Sequence, residues 1–168
     1  MWQTSLVVHE LANPFEKKGF TLRGRAAGYL GELQAEAAVA ALAELATDRV
    51  HHARMSAVRA LGRIGHPEAL PVLTAALDDP TVRAVAATSL GDIGDASAVP
   101  HLVQLLDDPK FITRTAAIEG LLRIDDRQGR EAAESRLQAE PWFGIFVLSK
   151  HLRRHRRRIR RLRRRRST

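Results

Sequence analysis

DDPTVRAVAATSLGDIGDASAVPHLVQLL, residues 78–106, is the stretch whose reading decides the fold. Val82, Val85, Ala86, Leu90 and Ile93 recur at helical spacing, so the first half forms an apolar-striped helix. A short turn, IGDASA, follows, and PHLVQLL then reads as a second helix. Asp107-Asp108-Pro109 closes the unit as Asp78-Asp79-Pro80 opens it. Aspartate caps a following helix, and proline fits a first turn because the missing N–H costs little there.

Outward from this stretch the pattern returns. AAGYLGEL from Ala26, AVRALGRIG from Ala57, AATSLGDIGD from Ala86 and AAIEGLLRIDD from Ala116 align on Leu30, Leu61, Leu90 and Leu121, at spacings of 31, 29 and 31. Three residues after each anchor stands Leu33, Ile64, Ile93 or Ile124. Four before it stands Ala26, Ala57, Ala86 or Ala117, and seven before it Arg23, Arg54, Arg83 or Arg114. A period near 30 with this agreement is the signature of a solenoid. VVHELANP, near the N-terminus, matches the end of a second helix and reads as half a unit.

These residues resemble the HEAT family, in particular the short HEAT-like repeats first described in phycobilisome lyases. The resemblance is nearly intact between Asp78 and Leu106 and covers roughly residues 20–140. It implies an all-α fold: a right-handed α-α superhelix, a HEAT-like solenoid of about four and a half repeats. A C-terminal arginine-rich helix follows it. The expected divisions are an N-terminal half-repeat or cap over 1–20, the repeat domain over 21–140, and a capping segment with an arginine-rich tail over 141–168. Family members mostly serve as platforms for other proteins, so a protein or peptide is the expected occupant of the groove.

Composition divides the chain. Residues 150–168 hold twelve of its 27 Lys and Arg and none of its 19 Asp and Glu. Residues 1–149 therefore carry fifteen cations against nineteen anions, a net of about −4, and the tail is +12. A mildly acidic body bears a polycation, and such an arm is an interaction element for a polyanion. There is no cysteine, which excludes disulfides, thiolate metal sites and cysteine nucleophiles and fits a cytoplasmic location. The N-terminal MWQTSLVVHELANPF lacks the charged start of a secretory signal. The apolar run Trp142–Leu148 is far short of the roughly 20 residues a bilayer span needs.

Three sets of residues invite a chemical reading. Arg23, Arg54, Arg83 and Arg114 could line up for an anionic ligand, but the expected role is a structural ladder to boundary aspartates Asp48, Asp79 and Asp108. His51-His52, His66 and His101 fall at non-equivalent repeat positions, so no metal site is expected. The HEAT-like deoxyhypusine hydroxylases hold iron through repeated His-Glu pairs, and here His-Glu occurs once, at His9-Glu10. The pairs Asp78-Asp79, Asp107-Asp108 and Asp125-Asp126 all fall at unit boundaries, where capping explains them.

The tail carries the functional expectation. Lys150, Arg153, Arg154, Arg156, Arg157, Arg158, Arg160, Arg161, Arg163, Arg164, Arg165 and Arg166 form the polyanion-binding set. Leu148, Leu152, His155, Ile159 and Leu162 make one thin helical stripe among them. Like charges at i, i+4 oppose that helix until phosphates neutralise them. RNA is the first expected partner and DNA the second, because arginine forks suit phosphate oxygens and the tail has little with which to read base edges. Anionic membrane and an acidic protein surface stay open as alternatives, as does membership of a large complex. Trp142 and Phe146 are expected to dock the tail on the end of the solenoid.

The combined expectation is a non-enzymatic adaptor without cofactor. The alternative implied by the resemblance is a bilin-lyase-like chaperone or lyase subunit, since those proteins work in pairs to attach a linear tetrapyrrole to a phycobiliprotein cysteine. The polycation is a feature neither the pigment nor its attachment explains.

Overall fold

The computed structural model describes residues 19–139. They form four helix-turn-helix units. The first helices are α1 (Gly19–Glu32), α3 (His51–Ile64), α5 (Arg83–Ile93) and α7 (Phe111–Leu121). The second helices are α2 (Val39–Leu45), α4 (Leu70–Ala75), α6 (Val99–Gln104) and α8 (Arg127–Ala139). Single 3₁₀ turns lead into α2, α4 and α6 at Glu36–Ala38, Pro67–Ala69 and Ala96–Ala98, and others close α4 and α6. Among the described residues the fold is all-helical, the HEAT-like solenoid that the periodicity implies. The expected half-unit before Gly19 and the arginine-rich helix lie outside the described residues.

The repeat columns explain the stacking. Leu30, Leu61, Leu90 and Leu121 are fully buried, and one apolar core runs through all four units. The first helices pack side by side, α1 on α3, α3 on α5 and α5 on α7, and each of α2, α4 and α6 rests on the first helix of the next unit. The first helices approach to backbone contact. A Cβ on Gly31 would stand 2.8 Å from the Ala60 Cα, and one on Gly62 the same distance from the Ser89 Cα. Gly91 lies on the Gly120 backbone in the same way. The residue after the anchor in one unit thus meets the residue before the anchor in the next. At the ends of the described row those two columns hold Tyr29, 45% exposed, and the partly buried Leu122.

Units two and three end their first helices identically. Gly65 and Gly94 adopt left-handed conformations, φ 71° and 81°, and their N–H groups donate to the Leu61 and Leu90 carbonyls. Glycine takes this conformation without the steric penalty of a Cβ. Unit one places Gln34 there, at φ 51°. Leu33, aligned with three buried or half-buried isoleucines, is 48% exposed beside that turn.

Candidate functional site

The boundary loops form one edge of the row. Asp48, Asp79 and Asp108 each bend the chain through one carboxylate oxygen. Their Oδ1 atoms accept, at 2.8 Å, from the N–H of Val50, Thr81 and Lys110 respectively. The other oxygen takes an arginine of the preceding unit. Arg23 Nη1 lies 2.8 Å from Asp48 Oδ2, Arg54 Nε 2.8 Å from Asp79 Oδ2 and Arg83 Nη1 2.7 Å from Asp108 Oδ2. The same guanidinium groups reach backward. Arg54 donates to the Asp48 and Arg49 carbonyls, and Arg83 to those of Leu77 and Asp78. Arg54 and Arg83 therefore each span two boundaries.

Arg114 donates to the Asp108 and Pro109 carbonyls in the same manner, and its guanidinium carbon lies 5.9 Å from the centre of the Phe111 ring. The position 25 residues on, aspartate for the other three, is Ala139. Burial works to raise the Asp79 carboxyl, but the Thr81 hydroxyl and N–H with Arg54 outweigh it and hold it below the usual range. Asp108 is lowered in the same balance, burial against the Lys110 N–H, Arg83 and Thr113. These cations are engaged within the fold and are poorly placed to hold a ligand.

The paired aspartates divide their work. Asp79 and Asp108 carry the ladder, while Asp78 and Asp107 face solvent, Asp107 at 3.9 Å from Arg136. Asp126 accepts from the Gly129 N–H at 2.7 Å, at the start of α8. His51 and His52 meet edge to face at 5.3 Å between ring centres, and His66 Nδ1 accepts from the Glu68 N–H. Among the described residues no three His, Asp or Glu side chains gather as a metal site would need. Lys150, the tail arginines, Trp142 and Phe146 lie outside the described residues.

The face made by the first helices carries a feature that sequence reading missed. A cleft of about 450 Å³ crosses α3, α5 and α7. Val85 and Ala116 are part of its wall, and the rim holds Phe111 and Ile112, 37% and 67% exposed. Arg59 and Arg63 stand at the α3 side. Asp92 on α5 and Glu119 on α7 also line the cleft, each 3.5 Å from Arg123. The available signal was the pair Phe111-Ile112, which aligns with His51-His52 and Pro80-Thr81 in the neighbouring units. Ile112 is a large apolar side chain at a column that holds Thr21, His52 and Thr81 in the other units, and such a residue is expected to be used. A second groove, of about 870 Å³, lies between α4 and α6, with Pro71 and His101 on its walls.

Among the described residues no helix is long and apolar enough to cross a membrane.

Comparison with known proteins agrees with this architecture. The family description "HEAT repeats" matches residues 19–81 and 75–144. No curated protein matches the chain. Among solved structures, the chain is similar to one in the complex of CpcE and CpcF of phycocyanin lyase from Nostoc sp. PCC7120, at TM-score 0.57 and 27% identity. That likeness covers 85% of this chain and 68% of the other. It overturns the expectation of a non-enzymatic adaptor, because the similar chain belongs to a phycocyanin lyase complex.

Proposed function

Because the chain belongs to the HEAT-repeat family, we propose that it is a protein-docking subunit that receives its partner on the first-helix face. The observation that carries this reading is the cleft across α3, α5 and α7, with exposed Phe111 and Ile112 on a row braced by backbone contact. Preformed, rigid surfaces bind without a large ordering cost. The test is site-directed photo-crosslinking in the native host, in the cytoplasm where we place the protein. Benzoyl-phenylalanine at position 112 should join a protein, and the same group at position 71, on the second-helix side, should not. Equal labelling from both positions, or none from either, rejects this reading.

The second element of the proposal is the tail, whose twelve cations without a single anion support polyanion binding. RNA ranks ahead of DNA and of anionic lipid, for the arginine-rich composition. If six to eight cations touch phosphates, log K should fall against log salt with a slope of roughly −4 to −7. The full chain and a chain ending at Ser149 are compared across a salt series, and equal affinities would sink this element.

A second reading follows the likeness to the CpcE–CpcF complex: a subunit of a lyase-type assembly that pairs with another chain. Its support is similarity over 85% of this chain. A bound tetrapyrrole absorbing in the visible on purification from the host would favour it. The two readings share the docking face and differ in whether the assembly carries pigment.

A further inference from the structure

The cleft uses its polar groups unevenly. The Thr88 hydroxyl donates to the Ala84 carbonyl, the Thr115 hydroxyl to that of Phe111, and the Ser89 hydroxyl to that of Val58. The hydroxyls are thus committed to backbone, and little but apolar surface is left between the charged groups. On α5 and α7, Asp92 and Glu119 converge on Arg123. On the α3 side the cations are more available. Arg63 is 3.5 Å from Glu32, with 47% of its side chain exposed, and Arg59 is exposed and without an ion pair or hydrogen bond among the described residues. Arg59 and Arg63 are four residues apart on one helix, so both present to the same side.

We propose that this cleft takes an amphipathic helix of a partner protein, laid across α3, α5 and α7. An acidic residue of the helix meets Arg59 and Arg63, and apolar residues settle against Val85, Phe111 and Ile112. The proposal rests on the docking reading above and specifies the partner's chemistry. Dimensions set the length. Three adjacent helices at interaxial steps of about 8–10 Å span roughly 16–20 Å, which about 11–13 residues of helix cover at 1.5 Å each. The acidic and apolar anchors therefore sit at opposite ends of about three turns. Charge also separates a partner from the chain's own C-terminal stripe. Leu152, Ile159 and Leu162 are flanked by arginines, the wrong sign for Arg59 and Arg63.

The test uses the full chain and a fluorescein-labelled, alanine-based helical peptide of about fifteen residues. The peptide has two glutamates in one terminal turn and a leucine stripe in the other; its counterpart has lysines for the glutamates. The glutamate peptide should bind about tenfold more tightly than the lysine peptide, a difference of about 1.4 kcal/mol. The double variant Arg59→Glu, Arg63→Glu should invert that preference. Ile112→Asp should weaken both peptides, and Glu134→Lys, on α8, should change neither. All four substituted residues are exposed, and circular dichroism checks that each variant folds. Equal affinity of the two peptides for the unaltered chain, or indifference to the double reversal, overturns the proposal. So does a photo-crosslink, in the purified chain alone, from position 112 to residues 1–18 or 140–168. A host partner joined at position 112 with no charge preference among the peptides rejects the acidic helix and leaves the docking reading standing. Absence of any partner rejects both.

Discussion

The second and third units differ from the first and fourth in what stands beside the anchoring leucine. Between neighbours, Gly31 meets Ala60, Gly62 meets Ser89 and Gly91 meets Gly120, so a small residue faces a small residue at every internal junction. At the outer sides of the first and last described units the same columns hold Tyr29 and Leu122. The arginine ladder shows the same contrast. Arg54 and Arg83 each join the carbonyls of one boundary to the carboxylate of the next, while Arg114 takes the backward carbonyls and its forward column is Ala139. Repeat identity is therefore positional: a column carries the consensus residue where a neighbour demands it and another where none of the described units does.

The strongest way to break the contrast is to add bulk at an internal junction. Gly91→Val drives a branched side chain into the Gly120 backbone, and a loss of more than about 3 kcal/mol is expected in denaturant unfolding. Gly28→Ala, on the first unit, meets nothing within 4 Å and should instead raise stability by roughly 0.5–1 kcal/mol, the helix-propensity gain. Similar losses at both sites would mean the units are not distinguished by their neighbours.

Next in size is the ladder. Arg83→Ala leaves Asp108, whose side chain is 3% exposed, without its cation, and should cost about 2 kcal/mol. Arg114→Ala, which removes the two carbonyl contacts and the approach to the Phe111 ring, should cost less, about 1 kcal/mol. A double-mutant cycle of Arg83 with Asp108 measures the coupling directly, and additive losses would show the pair to be ornamental.

Acid sharpens the same point. The carboxyls of Asp79 and Asp108 are lowered in the folded chain, so their contribution is fully present above the ordinary aspartate range, near 3.8, and is lost as pH falls through the lower folded values. The stability gap between the parent chain and Asp108→Asn should be constant near neutrality and shrink only below about pH 4. A gap that closes near pH 6 would implicate histidine instead.

Smallest is the turn. Gly94→Ala forces a side chain onto φ 81° and should cost about 1 kcal/mol, whereas Gln34→Gly relieves φ 51° in the first unit and should stabilise by a few tenths. Thermal melts of the two single variants decide this, and a shift of the same sign in both would contradict it.

Much of this architecture was legible because its columns repeat. Leucine at the anchor, alanine four before and arginine seven before state a period, and the arginine–aspartate ladder follows from charges recurring at fixed separation. The glycine junctions were less legible. They join residues 27 or 29 apart in sequence, Gly62 with Ser89 and Gly91 with Gly120, and neither column looks special until the helices are set side by side. The cleft was illegible for a different reason. Its wall draws on three helices at non-equivalent columns, using ordinary residues such as Val85 and Ala116, and only Phe111-Ile112 broke the pattern of its neighbours.

The backbone contact along the first helices has a mechanical consequence. Rows that already touch atom to atom cannot be compressed, and arginine struts tie their boundary edge. When such a stack bends, the first-helix row behaves as the neutral fibre of a beam: its spacing stays constant while the second helices spread or close. A partner seated across α3, α5 and α7 would therefore keep its footholds if the solenoid flexed, the change in spacing falling on the second helices.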